Sequence, residues 1–322
     1  MKILENQNLS EIFWYRIGGV ARYVAQISSK EDFYETMGFV KNNNITKVFF
    51  AGTGSNLIFS DDFFDGIVLQ FTPNANGIRN ENESFLSVFS GQSLDQVINF
   101  GFEKNLIGLE WAGGLPGTVG AAVRGNVGAF GGEIKDVFIK AHCINLSENG
   151  DYEEITLTKE EMNFSYRSSR VKSEKLIVLE AFFELKKSNS EEEMLHAKEI
   201  YNKNIEYRRT HHPLEYPNCG SVFKNITKSS EVEKVLKVWP DIEEKVRNNW
   251  HGKVSMGYII GRLGLTGFGV GGAQISDKHQ NFIVNKNNAT SDDVRKIIVN
   301  IEKTVQNTFG FTPEIEVEIV SS

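Results

Sequence analysis

Nine of the 25 residues from Gly108 to Gly132 are glycine. No regular helix or strand tolerates that density, because each glycine loses the most backbone entropy on folding and adds nothing to a core. Such a run persists where backbone must approach something closely, and Ala112, Ala121, Ala122 and Ala129 keep that approach open. The usual object is a phosphate or a flat ring, held by bare N–H groups in a nest or at a helix start. A second small-residue loop, Gly52-Thr53-Gly54-Ser55-Asn56-Leu57, follows the apolar run Lys47–Phe50. Strand followed by small polar loop again describes an anion cradle. A third cluster, Gly264 to Gly272, spells G-x-G-x-x-G. No strand precedes it and no apolar-periodic helix follows, so it does not read as a dinucleotide turn.

The 322 residues allow two or three compact units and a large core. A net charge of −7 without a long Lys/Arg run argues against nucleic acid as a partner. An anionic ligand would have to be attracted by local groups and not by the overall field. The longest apolar run, Leu176 to Phe183, is interrupted by Glu180 and is too short to span a bilayer. The opening MKILENQNLSEIF lacks the apolar core of a signal peptide. Two cysteines, Cys143 and Cys219, make neither a disulfide framework nor a zinc site. These features lead us to expect a cytoplasmic protein with no membrane partner and no metal.

The first part of the chain reads as α+β. Ser28 to Asp32 opens a helix, with Ser29 and Asp32 in capping-box spacing and Phe33, Met37 and Val40 on one face. A strand over 46–51, the loop 52–57 and a strand Ile67–Phe71 follow, and Pro73 to Gly77 is a turn-rich boundary. A strand Phe85–Ser90 leads to a helix capped by Ser93 with Gln96, reaching about Asn105. After the glycine segment come strand candidates at 137–146, 152–157 and 176–186, whose succession without helices predicts antiparallel pairing. Ser190 opens a long helix to about Arg209. Beyond His211-His212-Pro213 lie a charged helical stretch over 230–250 and a short strand Asn281–Asn285. An amphipathic helix from Thr290 to about Phe309 and a last strand Ile315–Val320 complete the chain.

Four further motifs carry polar chemistry: Asn163–Ser169, Asn218–Asn225, Gly272–Phe282 and Pro313–Val317. Alone each is bland. An Arg after a Tyr is most often a surface or salt-bridge residue. Ser221 after Gly220 is more often a turn than a catalyst, and its neighbours are not G-x-S-x-G. Glu316 in an alternating strand is by default a solvated face residue.

Together and in this order they resemble one family, the UDP-N-acetylenolpyruvoylglucosamine reductases (UDP-N-acetylmuramate dehydrogenases). The resemblance covers nearly the whole chain. It begins at Tyr15-Arg16-Ile17-Gly18-Gly19-Val20-Ala21 and passes through Gly52–Leu57, Gly108–Glu110, Gly114–Gly120 and Asn126–Glu133. It closes with Tyr166-Arg167, Gly220-Ser221-Val222-Phe223-Lys224-Asn225 and Glu316-Val317. Phe130 stands where the family often has Tyr, Ile226 and Pro313 also depart, and 227–252 looks like an insertion. The short span from Arg167 to Ser221 resembles the branch lacking an extra substrate-covering loop.

The resemblance implies an α+β chain with a vanillyl-alcohol-oxidase-like FAD-binding fold of two subdomains plus a substrate-binding α+β domain. The expected division is 1–72 and 73–210 for the FAD subdomains and 211–312 for the substrate domain, with strand 313–322 returning to the active site. FAD would be held by Gly52, Thr53, Gly54, Ser55, Asn56, Leu57, Gly114, Pro116, Gly117, Thr118, Gly120, Asn126, Gly128 and Ala129. It would be non-covalent, because neither segment contains a His or Cys to attach it. The implied reaction uses NADPH to reduce UDP-N-acetylglucosamine enolpyruvate to UDP-N-acetylmuramate, a step of peptidoglycan precursor synthesis, by a monomer. Arg167 would meet the negative charge that builds beside the carboxylate, as a permanent cation with fork geometry. Ser221 resembles the family's proton donor and Glu316 its C-terminal glutamate, chosen over Glu314 by spacing and the following Val. Tyr166, Lys224, Asn225, Gln274 and His279 would contact the substrate. Two rival classes are an oxidase of the same fold and a non-catalytic nucleotide-sugar binder.

Overall fold

The computed structural model describes residues 2–147 and 151–321. The chain divides into two compact units, and the chain passes between them several times. The first comprises Met1–Gln7, Ala21–Thr53 and Phe64–Thr210; the second comprises Asn8–Val20, Gly54–Phe63 and His211–Ser322. Residues 72 and 73 lie in the same unit.

Among its described residues the first unit holds two short two-stranded sheets and two large ones. One runs in the order Lys2–Asn8, Val20–Ile27, Phe64–Phe71, Val48–Ala51, and Phe64–Phe71 pairs parallel with Val20–Ile27 and with Val48–Ala51. The helix Lys30–Asn42 packs Phe33, Met37 and Val40 against Ile27, Ile67, Leu69 and Phe71. Ser29 caps it by accepting from Asp32 N, while the Asp32 carboxylate reaches back to Ser28 instead of closing a box on Ser29. The other sheet runs Tyr152–Thr158, Phe138–Leu146, Ile177–Glu184, Phe85–Phe89, Ile78–Asn80, antiparallel throughout. Glu180, the charge inside the apolar run, is buried but met by Lys30 Nζ at 2.6 Å, by Arg79 and by His142 Nδ1 at 3.3 Å. That is how a central strand carries a carboxylate without leaving it unpaired. The helix Leu94–Glu103 has its Ser93/Gln96 capping box, and Glu191–His211 forms the long helix.

In the second unit a sheet runs Asn218–Ser221, Phe282–Asn285, Ala273–Ile275, Gly269–Val270, all antiparallel. The helix Ser291–Phe309 lays Val294, Ile297, Ile298, Ile301, Val305 and Phe309 into the core and ends at Gly310, whose φ of 74° is left-handed. Thr290 and Asp293 form its capping box. The stretch 230–250 differs from a single helix. It is two helices, Ser229–Val238 and Glu243–Asn248, interrupted at Pro240 because proline cannot continue an α-helix interior. Ile226 and Val254 close its neck with two 2.9 Å backbone bonds, and it buries Val232, Val235, Ile242 and Val246. The last strand is also shorter than its alternation suggests. Only Glu318–Val320 is strand, parallel to Leu57–Phe59, while Ile315 makes an isolated bridge to Phe223. No helix among the described residues is long and apolar enough to cross a membrane, and none of their His, Cys, Asp and Glu side chains group to hold a metal.

Candidate functional site

In the first unit the two small-residue segments touch. A Cβ on Gly52 would lie 2.6 Å from Thr118 Oγ1, and one on Gly120 would lie 1.9 Å from Ser90 Oγ. These two glycines permit close approach and no side chain could replace them without movement. Thr118 caps the helix Val119–Arg124, and Gly114 and Gly117 take φ of 70° and 116° on either side of Leu115-Pro116. The turn is clamped from two helices: Asp95 Oδ1 accepts from Gly114 N at 2.9 Å, and Arg208 Nε donates to Gly113 O at 2.9 Å. Gly128–Ala129 pairs antiparallel with Gly132–Glu133, and the intervening Phe130 and Gly131 both have positive φ, as a tight hairpin requires. Phe130 is half-exposed there.

Asn126 is fully buried and left-handed (φ 40°). Its amide donates to Glu133 Oε2 at 3.0 Å and to Ser165 O at 3.1 Å, and its oxygen accepts from Lys135 N. It therefore ties the glycine segment to the Asn163–Ser169 motif. Ser165 and Ser168 exchange backbone bonds of 3.0 and 3.1 Å, so Tyr166 and Arg167 are the two central residues of a tight turn. Arg167 has φ 56°, donates from Nη2 to Gly128 O at 2.9 Å and lies 5.2 Å from the Tyr166 ring. The Glu133 carboxyl is raised by burial, but hydrogen bonds from Lys135 and Asn126 and the charges of Lys135 and Arg167 outweigh that and hold it below its ordinary value.

The residues present fit a flavin dinucleotide. Among the described residues of this unit, three buried donors lack a hydrogen-bond partner: Thr53 Oγ1, Trp111 Nε1 and Arg208 Nη2. They belong to the small-residue segments or to the clamp on them, and a core seldom leaves such groups unmet.

In the second unit Gly220, with φ 77°, follows the Asn218 side chain, whose Oδ1 accepts from Gly220 N at 3.0 Å. The resulting irregularity ends the strand at Ser221, opposite Phe282. Val222 to Lys224 then runs antiparallel to Glu314 to Glu316. Glu316 N donates to Val222 O at 2.8 Å, and Lys224 N donates to Glu314 O at 2.9 Å. The register places Glu316 at the Ser221 end and Glu314 at the other, where its carboxylate pairs with Lys224. Glu318 N donates to Asn56 O at 3.0 Å, and a Cβ on Gly220 would lie 3.9 Å from Ser55 O. Ser55, Asn56 and Leu57 thus share one corner with Gly220, Ser221 and Glu316, and Gly54 with its φ of 74° belongs to the same unit.

Other candidates have structural duties. Asn225 Oδ1 accepts from Met256 N at 3.1 Å. Gln274 donates to Gly267 O at 2.8 Å and accepts from Lys286 Nζ at 2.6 Å. His279 accepts at Nδ1 from Asn281 N, meets the Phe282 and His212 rings edge-on, and is held below its ordinary value by burial. The Cys219 thiol is buried beside Tyr15 and pushed up to about 12 by that burial, so it is inert. Asp95 and Arg208 escaped the sequence reading, and Glu133 entered it only as the end of the Asn126–Glu133 motif. Each sits in an ordinary helical or turn context, and only the fold shows which backbone it reaches.

Residues 212–320 match the family described as UDP-N-acetylenolpyruvoylglucosamine reductase, C-terminal domain, and residues 21–156 match an FAD binding domain. The chain is 35% identical over 320 residues to the UDP-N-acetylenolpyruvoylglucosamine reductase of Caldicellulosiruptor saccharolyticus, covering 99% of this chain and 92% of that protein. It is 33% identical over 316 residues to the one from Clostridium perfringens, covering 97% and 91%. It shares the fold of the crystal structure of UDP-N-acetylenolpyruvylglucosamine reductase from Thermus caldophilus, with a TM-score of 0.71 at 23% identity over 99% of this chain and 98% of that one. A third of the residues are identical across almost the full length of both chains, and the chain belongs to the UDP-N-acetylenolpyruvoylglucosamine reductase family.

Proposed function

We propose that this chain reduces UDP-N-acetylglucosamine enolpyruvate to UDP-N-acetylmuramate with NADPH, using Arg167, Ser221 and Glu316. Bound FAD would supply the redox chemistry that links NADPH oxidation to hydride delivery at the enolpyruvyl methylene carbon. In the first unit, Gly52, Thr53, Gly114, Pro116, Gly117, Thr118, Gly120, Asn126, Gly128 and Ala129 hold the flavin, within subdomains 1–72 and 73–210. Gly54, Ser55, Asn56 and Leu57 also count among the flavin contacts, and 211–312 is the substrate-binding part, with 313–322 beside it.

Arg167 brings a fixed cation to the charge that develops next to the substrate carboxylate. The left-handed turn and the bond to Gly128 O orient it before reaction, so no reorganisation is needed as charge builds. Ser221 donates the proton to the adjacent carbon. A hydroxyl is a weak acid, and it gives up a proton here because the carbanionic centre is a strong base. Glu316 assists at the same end as an acid–base partner. The observation that supports this most is the register of 222–224 against 314–316, which sets Glu316 toward Ser221 and gives Glu314 to Lys224. Tyr166, Lys224, Asn225, Gln274 and His279 contact the sugar nucleotide, Asn225 and Gln274 while also holding backbone. The enzyme acts in the cytoplasm as a monomer on small soluble substrates.

The test is spectroscopic. Purified protein should be yellow, NADPH should bleach the flavin band without oxygen, and the enolpyruvyl sugar should restore it. A colourless protein would make it a binder. A flavin bleached by a hydroxy acid but untouched by the enolpyruvyl sugar would make it an oxidase.

A further inference from the structure

Arg208 lies near the end of the helix Glu191–His211 and is only 6% exposed. Its Nε donates to Gly113 O at 2.9 Å. Its Nη2 is buried and makes no hydrogen bond among the described residues. The Phe130 ring centroid lies 5.1 Å from its guanidinium carbon, and Tyr207 stands edge-on to that ring at 5.3 Å. Among the described residues Asp95 is the carboxylate whose charge offsets it, and its Oδ1 already accepts from Gly114 N. Burial pushes the guanidinium down to about 10. A buried cation without a bonded counter-charge is among the least favourable arrangements a core can hold. It persists when a ligand supplies the missing anion.

The surroundings say where the anion lies. A Cβ on Gly114 would sit 3.4 Å from Arg208 Cδ, so the arginine stem lies along the Gly114 turn. At the far end of that turn Thr118 touches Gly52, and beside Gly52 the Thr53 hydroxyl is a second buried donor without a partner. We infer that Arg208 is an anion ligand: its Nη2 donates to a phosphate oxygen of a diphosphate bound along Gly114 to Thr118, while its Nε fixes the turn through Gly113 O. Phe130 and Tyr207 limit water at the guanidinium, which strengthens the charge-assisted bond. The phosphate belongs to FAD or to one of the substrate nucleotides, and the arms of the test separate them. The FAD source rests on the reading that the glycine segments hold the flavin.

Full-length wild type, Arg208→Gln and Arg208→Lys are stripped of flavin and titrated with FAD and with riboflavin by fluorescence quenching. Gln can still donate to Gly113 O, so it removes the charge and spares the clamp. Loss of one charge-assisted bond should weaken FAD by roughly ten- to a hundredfold for Gln, with Lys between. Riboflavin, which has no phosphate, should bind both variants as it binds wild type. The flavin-free Gln variant should melt no lower than wild type, because an uncompensated buried charge has gone. If FAD affinity holds but UDP or NADPH binding to the flavin-loaded variant weakens as much, the anion role stands and the phosphate is the substrate's. Unchanged affinity for all three overturns it. So does equal weakening of FAD and riboflavin with a lower melting point, which marks a purely structural arginine. Wild type that binds no FAD would instead sink the flavin reading itself.

Discussion

Ser221→Ala should leave flavin reduction by NADPH nearly intact and block reoxidation by the enolpyruvyl sugar, by ~100-fold or more. Only the sugar half-reaction needs a proton delivered to carbon. Cys at this position should restore part of the rate, a thiol being a stronger acid near pKa ~8.5. Stopped-flow absorbance separates the halves, and slowed reduction with normal reoxidation would return Ser221 to a turn residue. Arg167→Ala should cut turnover far more than it weakens flavin binding, because its charge is wanted in the transition state. A change confined to KM would count against it. Neither residue was legible alone in the sequence; the company of motifs carried the reading. Glu316 was preferred over Glu314 by spacing, and the fold adds a physical reason, since Glu314 is engaged by Lys224. Arg208 was illegible because nothing in Tyr207-Arg208-Arg209 says which arginine is buried or what it reaches.

Among elements, the ones legible from sequence announce their own ends. Ser93–Gln96 and Thr290–Asp293 read as helix caps and close as full capping boxes, whereas Ser29/Asp32, in capping-box spacing, keeps only the Ser29 half. Lys2–Asn8 and Val20–Ile27 went unread, because polar residues interrupt the apolar signal and sheet partners, not local pattern, make them strands. The glycine segment was legible as a close-approach element and Asn126 as one of its flavin contacts, but the bonds by which Asn126 anchors it were not. Asn126→Ala should lower flavin affinity and melting temperature together, since it frees both the Glu133 and the Ser165 attachments. A flavin affinity unchanged by that substitution would refute the anchor. Glu133 gives the same element a pH signature. Its folded pKa is depressed, so its stabilisation is present above the unfolded value of about 4.3 and fades as pH falls through the lower folded value. Melting curves of wild type and Glu133→Gln should therefore differ at neutral pH and converge in acid. A gap that widens below pH ~4 would reverse the sign.

The molecule as a whole is an α+β flavin oxidoreductase of its family. Its flavin should leave entirely with the supernatant when the protein is denatured in acid, because Gly52–Leu57 and Gly108–Glu133 offer no His or Cys for a covalent bond. Colour kept in the pellet would disprove this. The coarse order of parts was visible in the sequence, yet the division into two units was not. Segments 8–20 and 54–63 join the C-terminal part through contacts that no local pattern encodes. That arrangement governs how the chain is made. Leu57–Phe59 emerges from the ribosome long before its parallel partner Glu318–Val320. A long-range parallel pair is slow to form, because the intervening loop must close before the contact rewards it. The first unit can assemble its sheets before Glu318–Val320 is made, whereas the second has to wait for that strand. Until then its early segments have only each other, through Gly19 N to Ser60 O and Phe13 against Phe59, and a chain stalled or cut before Glu318 leaves Leu57–Phe59 with an open edge.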